Sequence, residues 1–406
     1  MSTEQRTVMF ARLVSDGLQV TDGALAIEGD RIVFAGNRDD FLATEDADSF
    51  TEHPLAEDAT LVPGLIDIHC HGANGADFSD PEHAGVTDAI DFLHRSGTTT
   101  VIASLVSSDH EQMLNATELL AEFAEAGLIA GIHAEGPFLS AERCGAQYPG
   151  FLTDPDPDFV ADLVMASHGQ LRTMTFAPEL EGTEDLIEAL VSQGIVPAIG
   201  HTAASASVTR KALQEIAEQL ESAGVDGFTE RPLVTHLFNA MPPIHHRDPG
   251  PAAAALEMAA KGNAVLELIA DGVHLSPDTV RMVFALVGAK SIALVTDSMA
   301  ATGLTDGEYT VGPAKVRVED GEAHLAEGDR QRLAGGTCTL LEVVRRTVAA
   351  GVPLVRAIIS ATKVPAYLIG LADEAGRLHQ GFVADLLVLG PNLELRQVFS
   401  NGQLLD

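Results

Sequence analysis

From residue 64 to residue 298 the chain repeats one alternation. A short apolar or β-branched run is followed by a longer stretch in which apolar residues recur at helical spacing. Eight such runs occur in order: GLIDIHCH, GTTTVIASL, LIAGIHAEG, LRTMTFAPE, IVPAIGHT, PLVTHLFNA, AVLELIADG and SIALVTDS. Between them the spacing predicts helices over 109–126, 183–193, 205–222 and 276–287, the last entered through Ser-Pro-Asp, a cap followed by proline in the first turn. The pattern predicts an α/β protein with parallel strands and crossover helices, and eight units closing into a (β/α)8 TIM-like barrel is the economical arrangement. An open doubly wound sheet is the alternative. It calls for a Gly-rich phosphate turn after the first strand, and no GxGxxG stands there.

The two ends break the alternation. Residues 1–60 and 378–406 fall into short strand-like pieces separated by DG, GD and NG turns. They are expected to form one small β-sandwich domain beside a barrel spanning 61–377. Residues 303–335, rich in Gly, Glu and Asp, interrupt the last unit and are expected to form an insertion over the barrel mouth.

Composition narrows the partners. With 406 residues, 46% of them hydrophobic, the chain can bury a large core. Fifty-nine acidic against 24 basic residues give a net charge of −35, which disfavours nucleic acid and anionic membrane. Only five lysines occur, the first at Lys211; salt adaptation and a generally acidic proteome both fit that surface. Three scattered cysteines make no disulfide framework, and the opening residues lack a basic start and an apolar core. No apolar stretch reaches the ~18 residues of a membrane span. A soluble cytoplasmic protein is the expectation.

Nearly every run ends in a reactive group: His69 and His71, Glu135, Glu179, His201, His236, Asp271 with His274, and Asp297. A barrel opens the carboxyl ends of all its strands onto one face, so these groups are expected to converge. His69 and His71, two apart on a strand, share a side while Cys70 points away and packs as a small residue. An isolated HxH fits a pair of hydrogen-bonded histidines as well as metal ligands. Glu135, His201 and His236 shift the balance, because a carboxylate with two imidazoles is a common three-ligand set that leaves a position for water. His133, on the face of Glu135, is expected behind the ligands or toward substrate. Histidines 53, 83, 94, 110, 168, 324 and 379 are expected on the solvated surface. With no lysine before Lys211, no carboxylated lysine can bridge two ions early in the barrel, which leaves Glu135 for that role. Asp297, in VTDSMAATG, is the candidate general acid/base beside a metal-activated water; a helix N-cap is its structural alternative.

The phrases PGLIDIHCHG, HAEGPFLS, GHTAAS, THLFNAMPPIHHRDPG, ADGVHL, VTDSMAATG and LAGGT follow one another at suitable spacing, nearly end to end. Together they resemble the N-acetylglucosamine-6-phosphate deacetylases of the amidohydrolase superfamily. HxH alone would mark only the superfamily.

The resemblance implies hydrolysis of N-acetyl-D-glucosamine 6-phosphate to D-glucosamine 6-phosphate and acetate, in amino-sugar catabolism or cell-wall recycling. It implies that Glu135, His201 and His236 hold the principal divalent ion (Zn, Fe, Mn, Co or Cd), that His69 and His71 hold a second with Glu135 shared, and that Asp297 is the acid/base. The sugar-phosphate contacts carry over onto Ala146, Gln147, Asn239, Ala240, Arg247, Asp271, His274, Leu333, Ala334 and Gly335. In the family the arginine crosses a dimer interface, so a homodimer with Arg247 in the neighbouring site is implied; a solvated arginine in an RDPG turn is the simpler reading of the same residues. Gln147 departs from the family, which usually has a histidine there, and glutamine donates a hydrogen bond but carries no charge. Two other functions compete: a barrel amidohydrolase for a different N-acetylated or cyclic amide, and a barrel that serves in assembly without catalysis. The intact Glu135, His201, His236 and Asp297 argue against the second.

Overall fold

A computed structural model describes residues 6–80, 85–224, 231–327 and 332–405. All eight runs are strands of one parallel sheet in sequential order: β1 Leu65–Cys70, β2 Thr98–Val106, β3 Gly131–Glu135, β4 Leu171–Phe176, β5 Val196–Ile199, β6 Leu233–Val234, β7 Val265–Leu268 and β8 Ile292–Leu294. They are buried on both faces, which is why the runs are continuously apolar rather than alternating. The chain is therefore a TIM-like barrel and not an open sheet. It closes at the carboxyl ends: Asp297 N–H donates to the His69 carbonyl at 2.9 Å and His71 N–H to that of Ser298 at 2.8 Å. Buried Asp67 braces the same seam, accepting from Thr296 Oγ1 at 2.6 Å.

The crossover helices lie where the periodicity placed them: His110–Glu125, Thr183–Ser192, Ala206–Ala223 and Pro277–Val287. Ser276 accepts from the Thr279 N–H with Pro277 in the first turn, as the Ser-Pro-Asp signal predicts.

The two termini meet in one small extra domain, as expected, and its strands are joined in one continuous hydrogen-bonded sheet. Its order is Gln403–Leu404, Leu395–Ser400, Leu386–Leu389, Thr60–Pro63, Arg6–Ser15, Leu18–Glu28 and Arg31–Asn37, with Thr51–Glu52 beside Arg6–Ser15. The pairing of 60–63 with 386–389 makes it continuous, a non-local choice that turn signals do not reveal. The sheet curls round one core that includes Met9, Leu25, Ile32, Leu61, Leu386 and Phe399, and Ile32 N–H reaches the Phe382 carbonyl at 2.9 Å.

After β8, Gly307–Val311, Ala314–Glu319 and Glu322–Leu325 form a three-stranded antiparallel sheet. Its Val311, Val316 and Val318 pack on Val106, Met299 and Ala334 at the carboxyl end of the barrel. Gly312 N–H donates to Asp77 at 2.6 Å and pins it there. Residues 1–5 of the expected small domain, 328–331 of the expected insertion, and His83 lie outside the described residues.

Candidate metal centre and active-site pocket

The fifth, sixth and eighth strands turn abruptly as they leave the barrel, and the turn aims the side chain there. His201, His236, Phe238, Ala240 and Asp297 all have positive φ, between 29° and 78°. L-residues rarely adopt such values, so this backbone strain is concentrated at the site. Gly200 shows why the approach to His201 is so tight: an added Cβ would meet Thr175 and Thr235 side chains at 2.8 Å. Gly336 lets the LAGGT segment lie on the end of β8, where a Cβ would sit 2.3 Å from the Thr296 carbonyl oxygen.

Two sets of groups converge, Glu135 with His201 and His236, and His69 with His71 and Asp297. Glu135 Oε1 lies 3.1 Å from His201 Nε2 and 3.0 Å from His236 Nε2. Asp297 Oδ1 lies 3.4 Å from His69 Nε2 and 3.3 Å from His71 Nε2. Glu135 also joins the sets, with Oε1 3.5 Å from His69 Nε2 and Oε2 3.4 Å from His71 Nε2.

The hydrogen bonds behind these groups fit a cation in front of them. His71 Nδ1 faces the Ser104 carbonyl at 3.2 Å and His201 Nδ1 that of Arg143 at 2.9 Å. Carbonyls only accept, so both Nδ1 atoms carry the hydrogen and each Nε2 is bare in the neutral ring. Yet His71 Nε2 stands 3.1 Å from His69 Nε2, and His201 Nε2 stands 3.0 Å from His236 Nε2. At His69 and His71, whose Nδ1 atoms both face acceptors, lone pairs that close need a proton or a divalent ion between them; at His201 either an ion or an Nε2–H of His236 satisfies the contact, and N/O ligands of this kind suit Zn, Fe, Mn or Co.

The electrostatics agree. Burial works against charge on His69 and His71, but Glu267, Asp297 and Glu135 outweigh it and raise the pKa of His69 to about 9 and, through Asp297 and Glu135, that of His71 to about 10. Burial opposes ionisation of Asp297 too, and His69 and His71 bring it down to about 2. Glu135 is likewise held well below the usual carboxylate range, chiefly by His201 against burial. His133 stays behind the cluster, bonded through Nδ1 to Ser104 Oγ at 3.0 Å and Nε2 to Thr175 Oγ1 at 2.8 Å. Burial and neighbouring His69 lower its pKa well below the ordinary value.

In front of these groups lies a cavity of about 410 Å³. Of the residues named from the sequence, His71, Glu135, Ala146, Gln147, His201, His236, Asn239, Ala240, His274, Asp297, Leu333, Ala334 and Gly335 line it. His69 sits just behind them, fully buried. Asp271 supports His274 rather than facing the cavity, with Oδ2 2.8 Å from Nδ1. Burial disfavours a charged His274, but Asp271 more than offsets it and raises the pKa.

Not every group named from the sequence joins the cluster. Glu179 does not converge with the rest; it is exposed and braces the loop after β5, accepting from Thr202 Oγ1 at 2.5 Å and Ala203 N–H at 2.6 Å. Arg247 is exposed outside this cavity, with Nη1 donating to His246 Nε2 at 2.8 Å. Gln147 faces a carboxylate: its Nε2 donates to Glu135 Oε2 at 2.6 Å while its Oε1 accepts from Ser107 N–H at 2.7 Å. Cys70 packs away from the two histidines, as expected, with Sγ 3.1 Å from Ser298 Oγ. His53, His94 and His324 are half-buried rather than solvated, because long neighbours such as Gln397 and Phe399, on His53, cover their rings.

Three residues escaped the sequence reading. Arg143 and Arg332 line the cavity, and Arg332 Nη1 donates to the Gly145 carbonyl at 3.0 Å. Both belong to loops without periodicity, so nothing local marked them. Glu267 is buried in β7 against His69, and its signal was available: it is the one charge inside the run AVLELIA.

The match to known proteins runs nearly end to end. The model of the amidohydrolase family matches residues 60–405. N-acetylglucosamine-6-phosphate deacetylase of Bacillus subtilis (strain 168) is 30% identical, over 96% of this chain and 98% of its own. That of Danio rerio is 33% identical, over 88% and 87%. A mutant of N-acetyl-D-glucosamine-6-phosphate deacetylase from Mycobacterium smegmatis, solved in complex with N-acetyl-D-glucosamine-6-phosphate, is 36% identical with a TM-score of 0.85, covering 98% of this chain and 99% of that one. Matched in sequence, in fold and across almost its whole length, this chain belongs to the amidohydrolase family, within its N-acetylglucosamine-6-phosphate deacetylases.

Proposed function

We propose that this chain hydrolyses the acetamide of N-acetyl-D-glucosamine 6-phosphate, releasing D-glucosamine 6-phosphate and acetate. The observation that carries the reading is the pair of candidate ligand sets sharing Glu135 at the floor of a cavity that also holds Asp297, two arginines and His274. In this reading Glu135, His201 and His236 hold one divalent ion, and His69, His71 and Asp297 hold a second with Glu135 between them. Ions bound there lower the pKa of a water and polarise the acetyl carbonyl. Asp297, ionised at neutral pH, takes the proton of the attacking water and returns it to the departing amine.

The phosphate dianion needs local positive charge against a net charge of −35. Screening confines the distant acidic surface to about 8–10 Å at physiological salt, so the cavity's own groups decide. Asp271 raises the pKa of His274 and so favours its protonated form, and Arg143 and Arg332 line the same cavity. Arg143 Nε is buried without a hydrogen-bond partner, which suits it to an incoming anion. Asn239, Ala240 and residues 333–335 complete the sugar contacts in this reading. A homodimer belongs to it as well, with exposed Arg247 reaching the neighbouring subunit's cavity. A cytoplasmic setting is supported by three free, buried thiols.

The test is acetate release from N-acetylglucosamine 6-phosphate and from unphosphorylated N-acetylglucosamine, with the metal content of the same sample counted. Turnover that needs both the phosphate and a chelatable ion is the expected result. Equal turnover of the two sugars, or none in a metal-replete sample, would overturn the substrate assignment.

A further inference from the structure

Glu267 lies within β7, flanked by Val265, Leu266 and Leu268, and is 1% exposed. A carboxylate in such a place is costly unless its oxygens are bonded. Its Oε2 accepts two hydrogen bonds, from His69 Nδ1 at 2.9 Å and from the His236 backbone N–H at 3.1 Å. These partners come from opposite sides of the site, His69 from one ligand set and His236 from the other.

The cluster's other imidazoles are held differently. Backbone carbonyls fix His71 and His201 through Nδ1, and His236 Nδ1 is buried without a partner. His69 is therefore the imidazole of these two sets whose Nδ1 rests on an ionisable side chain. A carboxylate there locks the hydrogen on Nδ1, turns the bare Nε2 to the front and strengthens it as a donor to a cation. Glu267 does not line the cavity, so it cannot meet substrate.

We propose that Glu267 is a positioning residue that decides whether the set of His69, His71 and Asp297 holds an ion. The inference rests on the metal-dependent reading above. It makes the chain's ion count a property of one buried carboxylate, because His69 is the imidazole whose ring it orients. The ion on Glu135, His201 and His236 keeps all three ligands when Glu267 changes, with only the His236 backbone bond affected.

The experiment compares the full-length wild type with Glu267→Gln and Glu267→Leu, each dialysed against buffered zinc and counted for ions per chain. Gln keeps an acceptor oxygen at nearly the same place, so the fold is maintained even if Leu disturbs it. The expected wild type holds two ions. In Glu267→Gln one ion is retained as tightly as before and the other weakens about 10–100-fold. Activity at limiting zinc falls while KM for the sugar phosphate is unchanged, a split that a general loss of packing would not produce. Two ions held equally well in wild type and Glu267→Gln, or an equal weakening of both, would overturn the inference alone. A wild type with one ion would overturn it too, and a wild type with none would sink the metal-dependent reading beneath it.

Discussion

Raising the pH from 6.5 to 8.5 separates protons from metal in the second ligand set. In the metal-free chain His69 keeps its proton to about pH 9 and His71 to about pH 10, because Glu267, Asp297 and Glu135 outweigh the burial that opposes charge. Asp297, brought down to about 2, and Glu135, held well below its ordinary value, are ionised throughout and release nothing. An ion seated on His69, His71 and Asp297 must therefore displace two protons, both from imidazoles. Its apparent affinity should climb by about two log units per pH unit, roughly 10⁴-fold across those two units, and level off above pH 9 to 10. Calorimetric titration with zinc in buffers of different protonation enthalpy counts the protons directly, and chelator competition at several pH values gives the slope. The sign for stability follows. A raised histidine contributes stability that is complete below its unfolded pKa of 6.5 and lost as pH rises through the folded value. The metal-free protein should thus lose stability progressively from about pH 6.5 to pH 9 to 10 and level off above, while added zinc gives its largest increase at the top of that range. A slope near zero, with no proton released, would refute this account of the cluster.

Three shorter predictions follow. Asp297→Asn keeps a residue that tolerates its φ of 49° and should lower kcat about 10²–10⁴-fold while the ion on Glu135, His201 and His236 remains; turnover within tenfold of wild type would remove Asp297 from the acid/base role. Gln147→Leu removes the donor to Glu135 and strands the Ser107 N–H, two losses of roughly 1–3 kcal/mol each, so urea unfolding of the metal-free protein should shift by several kcal/mol; an unchanged midpoint would show that the amide is not holding Glu135. Raising salt from 0.1 to 1 M shortens the screening length from about 10 to 3 Å, and with a net charge of −35 the melting temperature should rise; a flat response would show that surface repulsion costs little.

The sequence by itself determined the strands, the helices and most of the groups that converge at the strand ends. Burial on both faces makes a barrel strand continuously apolar, and helical spacing is equally local, so GLIDIHCH and its seven successors were legible without coordinates. The two-residue spacing of His69 and His71 likewise puts both side chains on one face of any strand. What required the tertiary structure was direction and partnership. Glu179 and Glu135 both stand at strand ends, yet one braces an exposed loop and the other sits among four imidazoles, because the turn after each strand aims the side chain. Gln147 invites a substrate contact in sequence, but folding lays its amide on Glu135. Arg143 and Arg332 reach the cavity from loops nearly 190 residues apart, and Glu267 meets His69 across 198 positions of chain. Hydrophobic periodicity reports which face of an element is buried. Which buried groups share a hydrogen bond is fixed only when the barrel closes and sets the distances between strand ends.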